Sequence, residues 1–131
     1  MFDQENMREE TEALSNFLKN QGMERGFDPA DVYALGFSNG ANIAASLLLR
    51  SADVLAGGIL LRAMVPFEPE DKIDLTGKRI LMINGRSDPI IPLENARRLA
   101  EIFRSSGADV TQHVLETGHL SLIHISEPTR H

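Results

Sequence analysis

A chain of 131 residues, 42% of them hydrophobic and 24% charged, has room for one domain and enough apolar material for a core, which argues against disorder. Its formal charge of -6 argues against nucleic acid as a partner, because phosphate binding needs a basic face. There is no cysteine for a disulfide or a thiolate metal site, the start M-F-D-Q-E-N-M-R-E-E is unlike a signal peptide, and no apolar run approaches the ~20 residues of a membrane span, so a cytoplasmic protein is expected.

Glu5 to about Gly22 reads as an amphipathic helix, with Met7, Leu14, Phe17 and Leu18 near helical spacing. Gly22 or Gly26 would end it, and Asp28-Pro29 marks a turn. A first strand is expected over Val32–Gly36, then a helix over about Asn39–Arg50. The long face of that helix, with Ile43, Ala44, Leu47 and Leu48, is almost wholly apolar and should be buried. The run Ala56–Leu61 is apolar throughout, the pattern of a strand covered on both faces. Pro66–Gly77 reads as a polar loop, with the acidic residues of Glu68–Asp71 solvated. A third strand follows at Arg79–Asn84. Pro92-Leu93-Glu94 opens a helix with Ala96, Leu99, Ala100, Ile102 and Phe103 on its apolar face and Gly107 at its end; a fourth strand is Val110–Leu115.

Strands alternating with helices mean βαβ units and a parallel sheet. Ligands of such sheets bind beyond the carboxyl ends of the strands, so the residues there carry the functional argument. After the first strand comes Gly36-Phe37-Ser38-Asn39-Gly40, a G-x-S-x-G match in a strand–turn–helix setting. A serine alcohol needs a base to take its proton and a backbone that presents its oxygen; a tight turn does the presenting, and glycines on both sides relieve crowding. After the third strand, Gly85-Arg86-Ser87-Asp88-Pro89 brings in a carboxylate. After the fourth, Glu116-Thr117-Gly118-His119 brings in an imidazole. A nucleophile, an acid and a base thus follow three strands in the order Ser38, Asp88, His119.

The blocks G-F-S-N-G-A-N-I-A-A-S-L-L, M-V-P, G-R-S-D-P-I-I-P and G-A-D-V-T…G-H together resemble α/β-hydrolases of the phospholipase/carboxylesterase type, close to dienelactone-hydrolase-like carboxylesterases. The resemblance runs from about Phe2 to His119. It implies an α/β fold, the C-terminal part of a doubly wound parallel sheet of about four strands and three helices. It further implies Ser38 as nucleophile, His119 as general base and acid, Asp88 as the orienting carboxylate, and the Asn39 backbone N–H as one oxyanion donor. Arg62 and Met64, after the second strand, are expected to line the acyl or leaving-group side of the cleft. Family members also have an N-terminal third with the early strands and a His-Gly loop that supplies a second oxyanion donor. The chain is therefore expected to be a piece, residues 1–120 forming the C-terminal two-thirds of the domain. The serine-bearing strand would then have one unpaired edge, which invites aggregation or pairing with another chain, a homodimer among the outcomes. Residues 121–131, S-L-I-H-I-S-E-P-T-R-H, resemble translated sequencing-adapter DNA and are expected to be a non-native tail.

Plainer roles stand beside these. Ser38 could sit in an ordinary turn, Asp88 could cap a turn, as Asp-Pro often does, and His119 could be a surface histidine. Glu116 and Asp109 are rival acids. His113 reads as a strand residue, and His124 and His131 fall in the tail. No histidine pair has metal-ligand spacing, so no metal and no cofactor is expected. The expected reaction is hydrolysis of a small-molecule carboxylic ester through an acyl-enzyme. The alternatives are a thioesterase or lactone hydrolase, or a segment left inactive by lack of the oxyanion loop.

Overall fold

A computed structural model describes residues 4–51, 53–69 and 73–116. His119 and the tail lie outside the described residues. The elements are helix α1 (Gln4–Arg25), a single 3-10 turn (Pro29–Asp31), strand β1 (Tyr33–Phe37), helix α2 (Asn39–Arg50), strands β2 (Gly57–Leu61) and β3 (Arg79–Gly85), helix α3 (Leu93–Ser105) and strand β4 (Asp109–Leu115). All four strands are parallel, in the order β1-β2-β3-β4.

Helix α1 runs on past Gly22 and ends at Gly26, whose φ of +79° is the left-handed conformation that closes a helix; the N–H groups of Gly26 and Phe27 both return to the Gly22 carbonyl. Its buried face follows the apolar spacing except at Phe17. Met7, Thr11 and Ser15 are buried, Leu14 and Leu18 flank them, and Phe17 is 58% exposed. Small residues one turn apart let α1 lie close against α2. There the Thr11 hydroxyl donates to the Met7 carbonyl (2.6 Å) and sits 2.9 Å from the Ser46 hydroxyl, which can donate to it.

Helix α2 packs on β1 and β2, and α3 on β3 and β4. Its expected apolar face, Ala96, Leu99, Ala100, Ile102 and Phe103, is buried, as is most of α2, although Ile43 is half-buried. Leu47, Leu48, Leu60, Leu75, Met82, Leu99 and Phe103 form the centre of a single core. Leu75 comes from the segment read as a polar loop, so that loop closes the core while Glu68 pairs outward with Arg98 (2.7 Å).

Successive strand residues point to opposite faces. Ala34, Leu60, Ile80 and Met82 face the helices, whereas Tyr33, Leu35, Phe37 and Ile59 point the other way and are exposed, Leu35 at 74%. The register aligns Leu35 with Ile59 and Leu81, so the exposed apolar residues form a continuous patch. Burial of β2 on both faces is thus not what the described residues give: Ile59 is 38% exposed because α2 and α3 lie on one side.

Candidate active site

Ser38 is the hinge between β1 and α2. Its φ of 57° and ψ of −115° lie outside the ordinary regions for an L-residue, a strain of roughly 1–3 kcal/mol that surrounding structure must hold. Both backbone groups do so: its N–H extends the sheet to the Leu61 carbonyl (2.7 Å), and its carbonyl accepts the first helical bond from Asn42 (3.0 Å). The hydroxyl makes no capping bond to the helix. A Cβ on Gly36 would lie 2.7 Å from backbone atoms of Gly40 and Ala41, so glycine is required where the helix folds back on its strand. Gly40 differs: a Cβ there meets nothing within 4 Å, and crowding does not explain it. The first N–H groups of α2, Asn39 among them, have no carbonyl inside the helix to bond and carry its positive dipole end.

The next strand ends at the same edge. Arg62 donates its N–H to the Ile83 carbonyl (3.0 Å) and, with φ 60°, turns out of β2. Its side chain is 5% exposed and forks onto Asp88, Nε to Oδ2 at 2.5 Å and Nη2 to Oδ1 at 2.8 Å. Asp88 follows β3, and its carboxylate is 2% exposed. Oδ1 also accepts the Ile90 and Ile91 N–H groups (2.8 and 3.1 Å), so Asp88 does cap the turn that leads toward α3. The Arg62 hydrogen bonds hold this carboxyl down at about 2; burial opposes them, and the two amides and the guanidinium charge add to the lowering.

The segment after β2 is held by asparagines that the sequence reading did not single out. Asn42 Oδ1 accepts the Met64 N–H (2.8 Å), Asn95 Oδ1 accepts the Val65 N–H (2.7 Å), and Asn84 Nδ2 donates to the Ala63 carbonyl (3.3 Å). An amide on an apolar helix face, as at Asn42, and another closing an apolar strand, as at Asn84, were the available signals. Met64 is half-buried in this loop. Asn84 Oδ1 is buried with no partner among the described residues.

Ser38, Arg62 and Asp88 therefore follow three neighbouring strands at the carboxyl edge, with Arg62 and Asp88 in direct contact. Asp109 begins β4, in register with Arg79, Gly57 and Tyr33, at the opposite end of the sheet. Glu116 is at the carboxyl edge but exposed and paired with Arg86 (3.1 Å). His113 is exposed, aligned with Ile83 on the open face. His119 is outside the described residues.

A strained serine between a parallel strand and a buried helix, with a buried acid two strands away, is the arrangement of an α/β-hydrolase sheet. Residues 1–124 match the phospholipase/carboxylesterase family, and the chain belongs to it. It is 35% identical over 130 residues to MhqD of Bacillus subtilis (strain 168), whose name describes it as a hydrolase, covering 99% of this chain and 65% of that protein. It is also similar to the crystal structure of a Bacillus cereus carboxylesterase, at 36% identity and a TM-score of 0.86, over 91% of this chain and 56% of that one. For a Mesorhizobium loti carboxylesterase the identity is 27% and the TM-score 0.80, over 97% of this chain and 64% of that one. The chain spans less than two-thirds of the length of each of these relatives. Among the described residues, no helix is long and apolar enough to cross a membrane.

Proposed function

We propose that this chain carries the nucleophile, acid and base of a serine esterase that cleaves carboxylic esters through an acyl-enzyme. The observation that supports it most is the strained Ser38, held by β1 and α2 with its hydroxyl unused by the helix, at the edge where Asp88 is fixed. In the first half-reaction His119 takes the Ser38 proton as Oγ bonds to the ester carbonyl carbon. The carbonyl oxygen becomes an oxyanion held by the Asn39 N–H. The C–O bond to the alcohol then breaks, and the leaving oxygen takes the proton from His119. Water repeats the sequence on the acyl-serine and frees the acid. Asp88 fixes the imidazole tautomer, leaving its far nitrogen to accept. Met64 lines the cleft from the loop after β2.

Thioester or lactone substrates would pass through the same intermediate. The alternative is a segment without turnover; loss of one oxyanion donor lowers kcat by about 10²–10³. The test is hydrolysis of a short p-nitrophenyl ester by the purified chain, with mass analysis after exposure to a fluorophosphonate. Turnover and a covalent adduct on Ser38, both lost in Ser38→Ala, support the esterase. Equal rates in both proteins with no adduct defeat it, and an adduct without turnover supports the silent segment.

A further inference from the structure

Arg62 occupies a position that the chemistry above leaves unexplained. It adopts a φ of 60°, a conformation unfavourable for a side chain of its size, immediately after β2. That turn sends the guanidinium inward, where it is 5% exposed and grips a carboxylate that is 2% exposed. An arginine lining a cleft for substrate would keep its planar face or its fork open. This one commits two of its donors to Asp88 in the bidentate geometry that fixes a carboxylate in plane. The Arg62 fork and the turn amides divide the two oxygens unequally. Oδ1 accepts from Arg62 Nη2, Ile90 N–H and Ile91 N–H, whereas Oδ2 accepts from Arg62 Nε. A carboxylate oxygen has two lone pairs, so the donors among the described residues fill Oδ1 and leave one lone pair on Oδ2.

We propose that Arg62 is a positioning residue for the acid: its fork locks Asp88 so that Oδ2 is the oxygen left to receive the imidazole N–H of the base. This rests on the reading of Ser38, Asp88 and His119 as a triad. The loop that carries Arg62 is pinned to the nucleophile helix through Asn42 and to α3 through Asn95, so one segment ties the serine turn to the acid turn. Among the described residues, Arg86 and Glu116 at this edge are exposed and paired with each other, and do not substitute for Arg62.

The experiment uses the full chain, Arg62→Lys and Arg62→Met, with folding checked by circular dichroism. Two readouts are followed against pH: the carboxyl carbon of Asp88 by NMR, and the rate of fluorophosphonate labelling at Ser38. In Arg62→Met the Asp88 midpoint should rise by about 1–3 units. Labelling should slow by about 10-fold to 100-fold. Arg62→Lys should restore part of the charge effect and less of the rate, because an ammonium cannot fork; if Arg62→Met does not fold, this variant decides. An Asp88 titration unmoved by either substitution overturns the proposal. So does labelling at an unchanged rate while Asp88 is released, which would make Arg62 a structural brace alone. Absence of labelling in the unaltered chain defeats the hydrolase reading, and the positioning role with it, an outcome distinct from labelling that ignores Arg62.

Discussion

At Gly36 one hydrogen separates a working turn from a collision. Alanine there would put a methyl group 2.7 Å from the backbone of Gly40 and Ala41, atoms that cannot swing aside. Gly36→Ala should cost about 1–3 kcal/mol, read as a lower urea midpoint, and should misplace Ser38 with it. Asp88 sets an acid limit. Its folded value of about 2 lies below the ~3.9 of a free aspartate, so its contribution to stability is complete above about pH 4 and disappears as pH falls through about 2. Urea midpoints measured from pH 5 downward should therefore fall across that window, and the fall should shrink in Arg62→Met. The placing of Ser38 and Asp88 just beyond strand ends was legible because both stand where apolar runs end. The partnership of Arg62 with Asp88 was not, since its direction depends on a backbone angle that no spacing reveals. Read as lining the cleft, Arg62 is instead turned inward.

The elements were legible where one pattern governed them. Helix α2 occupies the expected Asn39–Arg50, and each strand begins or ends within a residue of its apolar run. In α1 the apolar spacing held at Met7, Leu14 and Leu18 and failed at Phe17, while the Thr11–Ser46 hydroxyl pair in the contact with α2 left no apolar signal. The segment after β2 carries no regular pattern, and its order comes from side-chain amides on three other elements. Those bonds are expected to matter individually. Asn42→Ala leaves the Met64 N–H without its acceptor and should destabilise the chain by about 1–3 kcal/mol. Hydrogen exchange at the Met64 amide should accelerate while that of Leu47 and Leu48 follows the global change alone.

The whole molecule is a sheet dressed on one side by its described helices. Tyr33, Leu35, Phe37 and Ile59 present apolar surface on the other, and β1 is the edge strand of the described sheet. Contiguous apolar patches beside an open strand edge favour association. Sedimentation velocity should show a concentration-dependent increase in mass, and Leu35→Lys, at a position 74% exposed, should reduce it without unfolding the chain. The sequence implied the parallel sheet, but not which side the described helices leave open, because an all-apolar strand looks the same whether one or both faces are covered. Tyr33 gives that side an optical consequence. It is the chain's one tyrosine, and there is no tryptophan, so beyond the weak bands of six phenylalanines the near-ultraviolet absorbance and intrinsic emission arise from a single phenol ring on the side away from the described helices. Whatever settles there, be it a second copy or a detergent, changes the signal of one identifiable chromophore, and the protein reports its own occupancy without a label.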